Sequence, residues 1–424
     1  MRKILSVLLT LVCIGCGARV KEKPQPAVSE VIPGVEVLRN GGFAQLKGKR
    51  VALVTNPSGV DRNLVSTIDI LYSAPEVELV ALFGPEHGVR GDVYAGGKVS
   101  DSTDPLTGLP VHSLYGANRK PSPEMLKGID AVVYDIQDVG TRSYTFISTL
   151  GLVMEACSEL GIEVIVLDRP NPLGGIKIEG CVPEDGFYSF VGQYKIPYIY
   201  GLTVGELAML INEEGLNRGQ KGDKAPSKCS LTVVPMQGWK RDMLYSDTGL
   251  PWILPSPNIP YPQTALNYPA SGISGEISDF INIGIGYTLP FGLFGATWMD
   301  ANALKAKLDS YNLPGLVFRT ITWKPFSGSS AGKQVNGVQF HFTNYEQSCV
   351  TLLQFYVIQA IVELYPDRNP FKSGKSTGLF DKVCGTSKVR EQFSKRCKVS
   401  DIEQLWNKDA EAFRLLSAQY HLYE

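Results

Sequence analysis

The chain has no excess of charge of either sign. Its 41 lysines and arginines against 42 aspartates and glutamates leave a formal net charge of −1 over 424 residues. Proteins that bind nucleic acid usually present a clearly basic face to the phosphates, so this balance argues against a nucleic-acid partner. It is also unlike the composition of a disordered acidic tail. A chain of this length buries a large core without the help of metals or disulfides.

Metal-ligating residues are scarce and scattered. Apart from Cys13 and Cys16 in the N-terminal segment, the six remaining cysteines do not have the C-x-x-C spacing of a zinc site, and none lies near a histidine in a zinc-like pattern. The sequence contains only four histidines, which are far apart: His87, His112, His341 and His421. We therefore predict no metal site. Whether Cys384 and Cys397 form a disulfide is left open by the sequence.

The familiar cofactor and nucleophile motifs are missing as well. The segment after the first predicted strand reads "NPSGV" (56–60), which cannot serve as the G-x-G-x-x-G turn of a dinucleotide site. There is no Walker loop and no G-x-S-x-G elbow. We therefore predict no cofactor. Without an ordered Ser/His/Asp set or a metal cluster, hydrolysis of a non-glycosidic bond has little support.

The apolar run at the N-terminus is too short to span a bilayer permanently, and no other segment is long and apolar enough to do so. The chain begins "MRKILSVLLTLVCIGCG", a positive start followed by an apolar stretch of export-signal length. Gly15-Cys16 resembles a bacterial lipobox, which would make Cys16 the lipidated mature N-terminus; ordinary signal-peptide cleavage nearby is the alternative. We predict a signal peptide at 1–16, a tether at 17–32, and an exported lipoprotein that faces the periplasm or cell surface and meets the membrane only through its lipid.

What the sequence does contain is an alternation of short apolar runs with helical stretches. The pattern predicts a Rossmann-like α/β domain at 33–240 with a parallel sheet covered on both faces. A second, smaller mixed α/β domain is predicted at 241–424. The predicted strands are 50–56, 77–84, 131–138, 163–170, 231–239 and 337–344. The predicted helices are 62–74, 121–128, 144–161, 203–215, 350–366 and a C-terminal helix over 400–424.

Polar side chains follow four of the predicted parallel strands. In an open parallel sheet, ligands bind beyond the carboxyl ends of the strands, where these loops converge. Acidic, amide, guanidinium and tyrosine side chains at this edge are suited to carbohydrate chemistry, in which a carboxylic acid protonates a leaving glycosidic oxygen. The candidates are Asn56, Glu86, His87, Arg90, Asp135, Gln137, Asp138, Arg142, Tyr144, Asp168, Arg169 and Asn171.

Glu86, in "LFGPEHGVRG" (82–91), is the candidate acid. Packed against Phe83 and Pro85 it would be partly desolvated and kept protonated, but an ion pair with Arg90 would have the opposite effect. The residues alone leave both interpretations open.

The charged residues after the third and fourth strands also allow two roles. Asp135 and Asp138 face opposite ways in extended chain, so one would orient a ligand while the other braces Arg142 or Arg169. Arg169 either contacts ligand or forms an internal ion pair that holds two loops together.

Several of these segments resemble a known family. The chain is similar over about 35–424 to the exo-β-N-acetylmuramidases of NamZ type (glycoside hydrolase family 171). The segments that carry the resemblance are "NPSGV", "GPEHGVRG", "VVYDIQDVGTRSYT", "VLDRPNPLGG", "PWILPSPNIP" and "GLFDKVCGTSKVR". The resemblance implies release of N-acetylmuramic acid from the non-reducing end of peptidoglycan fragments in a cleft between two domains. It also implies that Glu86 is the catalytic acid.

One segment departs from the family pattern. Where members carry E-G-T-N-x-S-x-G-R-G-T-T-R-P-F, this chain reads "GEISDFINIGIGYTLPF" (275–291). Glu276 remains, but the two arginines become apolar at about Ile285 and Leu289. Guanidiniums there would suit a sugar carboxylate such as the lactyl group of muramic acid. The departure points to a related glycan, or to a muramic acid whose lactyl group is peptide-linked.

The sequence therefore predicts a peptidoglycan-directed β-glycosidase in which Glu86 is the general acid and Asn258 and Tyr287 reach in from the second domain. The rival hypothesis is a non-catalytic lipoprotein that captures peptidoglycan fragments in the same cleft.

Overall fold

The computed structural model describes residues 30–91, 101–116, 118–215, 227–277, 280–372 and 377–424. Ten strands form two sheets within these ranges. They are β1 (Arg50–Thr55), β2 (Glu78–Gly84), β3 (Ser102–Thr103), β4 (Pro110–Ser113), β5 (Ala131–Asp135), β6 (Glu163–Leu167), β7 (Leu231–Val234), β8 (Leu293–Ala296), β9 (Leu316–Trp323) and β10 (Val335–Phe342).

The first sheet has seven strands in the order β3-β4-β2-β1-β5-β6-β7. All of its pairings are parallel except that of the short edge strand β3 with β4. Without β3, the chain runs outward from β1 to one edge and then returns from β5 to the other edge, as in a Rossmann fold. The prediction of a Rossmann-like parallel sheet is confirmed, and its switch point lies between β1 and β5.

The α-helices of the described residues are α1 (Gly34–Asn40), α2 (Thr67–Ser73), α3 (Phe146–Leu160), α4 (Val204–Glu214), α5 (Pro262–Gly275), α6 (Ala301–Asp309), α7 (Leu353–Leu364), α8 (Gly378–Cys384), α9 (Lys388–Arg396), α10 (Glu403–Trp406) and α11 (Ala410–Ser417). Their caps explain several boundaries. Thr203 and Glu206 form the capping box that starts α4, and Gly161 ends α3 in the left-handed conformation.

Helices cover both faces of the first sheet. Side chains of α1 and α2, such as Leu38 and Ile68, pack on one face with Leu53 of β1. Side chains of α3 and α4 pack on the other face with Val132 of β5. Burial on both sides explains why these strands are nearly continuous runs of Val, Ile and Leu.

The second domain contains the antiparallel sheet β8-β10-β9. Its core is joined to the first domain, because Leu173 and Tyr198 from the loops after β6 lie in the same apolar cluster as Phe294 and Phe355. A smaller mixed α/β domain was predicted and is confirmed. The boundary at 240/241 stays a prediction.

Two predicted helices differ in the structure. The segment 121–128 forms turns, with Lys127 N donating to Glu124 O at 3.3 Å and Ile129 N to Leu126 O at 3.2 Å. Pro123 supplies no N–H there, and so short a segment gains little from helix formation.

The C-terminal helix is broken between α10 and α11. Asn407 and Asp409 at the break accept backbone N–H groups of Gly180 and Val182 from the first domain. These tertiary contacts compete with helix continuation.

Three other observations concern the sequence predictions. Cys384 and Cys397 are free thiols rather than a disulfide. Within the described ranges, no helix has the length and apolarity needed to cross a membrane. The predicted signal peptide, Cys16 and most of the tether lie outside the described residues.

Candidate active site

The turn after β2 positions Glu86. His87 and Gly88 follow it with φ of 78° and 76°, and Gly88 N donates to Pro85 O at 3.1 Å, which reverses the chain. A positive φ is uncommon for histidine and is often found at functional sites. His87 is buried and Glu86 is half-buried, so the turn keeps the imidazole inside and leaves the carboxyl group partly accessible.

The Glu86 carboxyl group lies among tyrosines. Burial, together with a hydrogen bond to Glu86, raises the pKa of Tyr115 to about 12. Burial also raises the pKa of Tyr144 and Tyr268, and the charge of Glu86 adds to both increases. Tyr115 follows β4, whereas Tyr268 belongs to α5 of the second domain. Glu86 therefore faces the space between the domains.

Four hydroxyl side chains form what we call the tyrosine cluster: Ser143, Tyr144, Tyr198 and Tyr268. Ser143 Oγ donates to Tyr198 Oη at 2.9 Å and lies 3.1 Å from Tyr268 Oη. The Tyr144 and Tyr268 rings meet edge to face with centroids 5.6 Å apart. Ser143 and Tyr198 are buried, Tyr144 and Tyr268 are partly buried, and the Tyr144 hydroxyl oxygen is closed off from solvent.

Glu276 reaches the same cluster from the second domain. It follows α5 directly, about two turns after Tyr268, and it is partly buried. Burial raises the pKa of Glu276 above its ordinary value. The charge of Glu276 raises the pKa of Tyr198 and Tyr268 in addition to the effect of their burial.

Several predicted site residues form a network beneath the cleft. Asn56 Oδ1 accepts the backbone N–H and the hydroxyl of Ser58, while its amide donates to Pro255 O at 3.1 Å. Ser58 Oγ in turn accepts from Gln137 N at 2.9 Å, and the Gln137 amide donates to Pro170 O at 2.7 Å. Asn56 and Gln137 are buried and connect the loops after β1, β5 and β6 with the linker to the second domain.

Asp135 and Arg169 form a buried ion pair. Asp135 Oδ2 also accepts from Thr67 Oγ1 at 2.5 Å and from Arg169 Nη2 at 2.8 Å, and Arg169 donates to Val60 O at 2.9 Å. Of the two interpretations of Arg169, the structure shows the internal ion pair, with Asp135 as the partner. Asp135 is the carboxylate that braces an arginine.

Asp138 is buried next to the tyrosine cluster. Its Oδ2 accepts from the Tyr200 hydroxyl and from Gly140 N, and its Oδ1 has no hydrogen-bond partner among the described residues. Burial raises the pKa of Asp138 to about 6, although the hydrogen bonds oppose the increase. The charge of Asp138 adds to the increase in the pKa of Tyr144 and Tyr268.

Arg142 does not line the cleft, contrary to the prediction. It is fully buried and donates to three carbonyl oxygens: Cys181 at 2.6 Å, Ile196 at 2.7 Å and Val383 at 2.8 Å. Because Val383 belongs to α8, Arg142 joins the two domains. Its neighbours Ser143 and Tyr144 lie at the site instead.

Asp168 and Asn171 also have structural positions rather than the predicted contact with ligand. Asp168 is fully buried and accepts from Thr203 Oγ1 at 2.8 Å, Gly205 N at 2.8 Å and Tyr423 Oη at 2.5 Å. Asn171 is buried and donates to Leu202 O at 2.9 Å. Both side chains hold the loop after β6 against the start of α4.

Arg90 lies on the same turn as Glu86 but pairs with other acids. Its guanidinium contacts Asp104 at 2.9 Å and Asp69 at 3.4 Å. The hydrogen bond from Arg90 is the main reason that the pKa of Asp104 falls to about 2.

The second-domain candidates have different surroundings. Asn258 is half-buried in the linker above Asn56, and its backbone N–H bonds Ser256 Oγ at 3.3 Å. Tyr287 packs with Leu289 against the cluster around Trp323.

Phe291 is the last residue of the divergent segment (275–291), and its side chain lies at the site. Its ring meets Tyr268 with centroids 4.8 Å apart, and its φ is 61°. Ile285 packs against the core of the second domain.

Sequence reasoning missed Tyr115, Arg119, Tyr268 and Glu276. Tyr115 follows β4, which was not predicted. The Arg119 guanidinium lies 4.2 Å from the centre of the Phe190 ring, and its charge lowers the pKa of Tyr115. No described carboxylate forms an ion pair with Arg119. Within the described residues, no group of three His, Cys, Asp or Glu could hold a metal ion.

Comparisons with known proteins agree with this geometry. The family model described as the N-terminal domain of exo-β-N-acetylmuramidase NamZ matches residues 51–263, and the C-terminal model matches residues 266–423. The chain belongs to the NamZ family.

Named relatives cover almost the whole chain. The peptidoglycan β-N-acetylmuramidase NamZ of Bacillus subtilis (strain 168) is 43% identical over 394 residues, 93% of this chain and 92% of that protein. A DUF1343 family protein of Bacteroides fragilis (BF0371) has a crystal structure with a TM-score of 0.88 and 50% identity, covering 93% of this chain and 100% of that one. A second, BF0379, has a TM-score of 0.75 and 28% identity, covering 93% and 99%.

Proposed function

We propose that this protein is an exo-acting β-glycosidase that releases N-acetylmuramic acid, or a close relative, from the non-reducing end of peptidoglycan fragments. The observation that carries the proposal is the position of Glu86. Its carboxyl group faces the tyrosine cluster between the two domains, in a chain that belongs to the NamZ family. The similarity to the Bacillus subtilis enzyme supports the glycosidase over the non-catalytic rival.

Glu86 serves as the general acid. Its protonated carboxyl group donates to the glycosidic oxygen while the C1–O bond breaks and C1 gains oxocarbenium character. Tyr115 donates to Glu86 and fixes its orientation. The Tyr268 hydroxyl, on α5, is placed to bond a sugar oxygen on the side of the second domain.

The test compares the wild type with Glu86→Gln on the disaccharide of N-acetylmuramic acid and N-acetylglucosamine, whose leaving oxygen needs a proton. We expect the variant to lose about 100-fold or more in turnover, because general acid catalysis contributes that much. Glu78→Gln is a matched control, since Glu78 begins the same strand at its far, exposed end. Equal turnover by Glu86→Gln and the wild type would remove Glu86 from the mechanism. Saturable binding of intact disaccharide with no product from the wild type would favour the binding protein instead.

We also propose that the protein is exported and held at the membrane by a lipid on Cys16. The support is the N-terminal sequence, with its basic start, apolar run and Gly15-Cys16. Metabolic labelling with a fatty acid should mark the wild type but not Cys16→Ala. A labelled Cys16→Ala protein would contradict the anchor.

A further inference from the structure

Hydrolysis requires a second group besides the acid. While Glu86 gives a proton to the leaving oxygen, another group must take a proton from the attacking water or form a bond to C1. In glycosidases this group is usually a carboxylate. Three described carboxyl groups raise the pKa of Tyr268, in the tyrosine cluster, by their charge: Glu86, Asp138 and Glu276.

Asp138 is a poor candidate because it is nearly inaccessible. It is 6% exposed, one oxygen is held by Tyr200 and Gly140 N, and the other is closed off from solvent. Water therefore does not reach Oδ1, and Oδ2 already accepts two hydrogen bonds.

Glu276 meets the requirements. Its carboxylate is partly accessible, and it has no hydrogen-bond or ion-pair partner in the described part of the chain. It follows the C-terminal end of α5, where the helix dipole disfavours negative charge and so strengthens a base. Burial also raises the pKa of Glu276, which strengthens it further as a base.

We propose that Glu276 is the general base that takes the proton from the attacking water; this inference rests on the proposed glycosidase function. In the balanced step, water oxygen bonds to C1 as the C1–O bond to the aglycone breaks. Glu276 gains one water proton, and Glu86 gives its proton to the departing oxygen. Glu276 then returns its proton to solvent, and Glu86 takes one up.

A base and a nucleophile differ in their distance from the acid and in the stereochemistry of the product. The charge of Glu86 raises the pKa of Tyr144 and Tyr268, whereas the charge of Glu276 raises the pKa of Tyr198 and Tyr268. The two carboxyl groups share Tyr268 and come from different domains, Glu86 from the turn after β2 and Glu276 from the end of α5. Carboxylates about 6.5–9.5 Å apart leave room for a water and invert the anomeric centre, whereas a nucleophile needs about 5.5 Å.

The first experiment uses two substrates that differ in their leaving group: 4-nitrophenyl β-N-acetylmuramide and the disaccharide of N-acetylmuramic acid and N-acetylglucosamine. A base acts on water, so Glu276→Gln should lose about 100-fold or more on both substrates by a similar factor. Glu86→Gln should lose much less on the nitrophenyl substrate, whose leaving group needs little protonation. Glu346→Gln, an exposed position of the second domain, is the control and should match the wild type.

The second experiment follows the product of the wild type by NMR. Inversion predicts that the α-anomer appears first from a β-substrate. The acidic limb of the pH–rate profile should disappear in Glu276→Gln, an effect that a merely structural role would not produce. A β-anomer formed first, or Glu276→Gln turnover within about threefold of the wild type, would overturn the proposal. A wild type inactive on both substrates would instead overturn the proposed function.

Discussion

Arg119 is an exposed cation near Tyr115, the tyrosine that forms a hydrogen bond with Glu86. Its charge acts on Tyr115, which in turn bonds Glu86, and its guanidinium is held against the Phe190 ring. A stacked guanidinium that forms no ion pair with a described carboxylate is well suited to bind the carboxylate of a ligand. Since Ile285 and Leu289 are apolar in this chain, Arg119 is the residue we expect to meet the lactyl carboxylate of muramic acid.

Calorimetry of Arg119→Gln tests this expectation with two sugars. The Kd for N-acetylmuramic acid should rise about tenfold, the usual effect of losing one charge-assisted hydrogen bond. The Kd for N-acetylglucosamine, which lacks the lactyl group, should not change. Arg319→Gln, which removes an exposed cation from β9, is the control. An equal change in Kd for both sugars would mean that Arg119 shapes the cleft and does not bind the lactyl carboxylate.

At the level of single residues, Glu86 could be predicted because its position depends on the end of one strand and a glycine-bounded turn. Glu276 and Tyr268 could not, because they reach the site only when α5 docks against the first domain. Arg142 misled the prediction for a similar reason. Sequence places it two residues after Gly140 at a strand end, but only the fold shows that its side chain turns toward α8.

At the level of elements, β5 and β6 each carry a buried carboxyl group just beyond their ends. Burial raises the pKa of Asp138 and of Asp168 to about 6, well above the ordinary value. The folded protein therefore binds these two protons more tightly than the unfolded chain does. Their contribution to stability is fully present below about pH 4 and is lost as the pH rises through about 6.

Thermal or urea unfolding between pH 4.5 and 7.5 measures this effect. Ionisation of each group at neutral pH should lower the free energy of unfolding by on the order of 2 kcal/mol, relative to the protonated form. In the double variant Asp138→Asn, Asp168→Asn, the free energy of unfolding should depend less on pH over this range, because its amides do not titrate. Asp104, with a pKa of about 2, serves as the contrast, since its ion pair with Arg90 is lost only in more acidic solution. An unchanged slope in the double variant would contradict the assignment.

Strands and helices differed in how well they could be predicted. The longer parallel strands β1, β2, β5 and β6 were found because burial makes each a nearly continuous apolar run, and β7 was found with them although it is short. The strands β3 and β4 at the opposite side of the sheet are short and partly exposed, so their pattern is weak, and Tyr115 was missed with them. The turns at 121–128 and the break between α10 and α11 depend on local proline and on contacts with distant loops.

At the level of the whole molecule, the two domains are tied together at several places. Arg142 bonds carbonyl groups of both domains. The C-terminal tail returns to the first domain, where Tyr423 bonds Asp168 and Leu422 N donates to Glu206 at 2.8 Å. These ties fix the distance between Glu86 and α5, which the proposed two-carboxylate reaction requires.

The sequence by itself determined the parallel sheet, the presence of a second domain and the turn that carries Glu86. These features depend on local periodicity and turn chemistry, which are properties of short segments. Tertiary structure alone decided which strand-end side chains face the cleft and which, like Asp135, Asp168 and Arg169, are buried in the network that supports it. It also decided that Glu276 lies near Tyr198 of the tyrosine cluster, because Tyr198 comes 78 positions earlier in the chain and their proximity depends on how the domains pack.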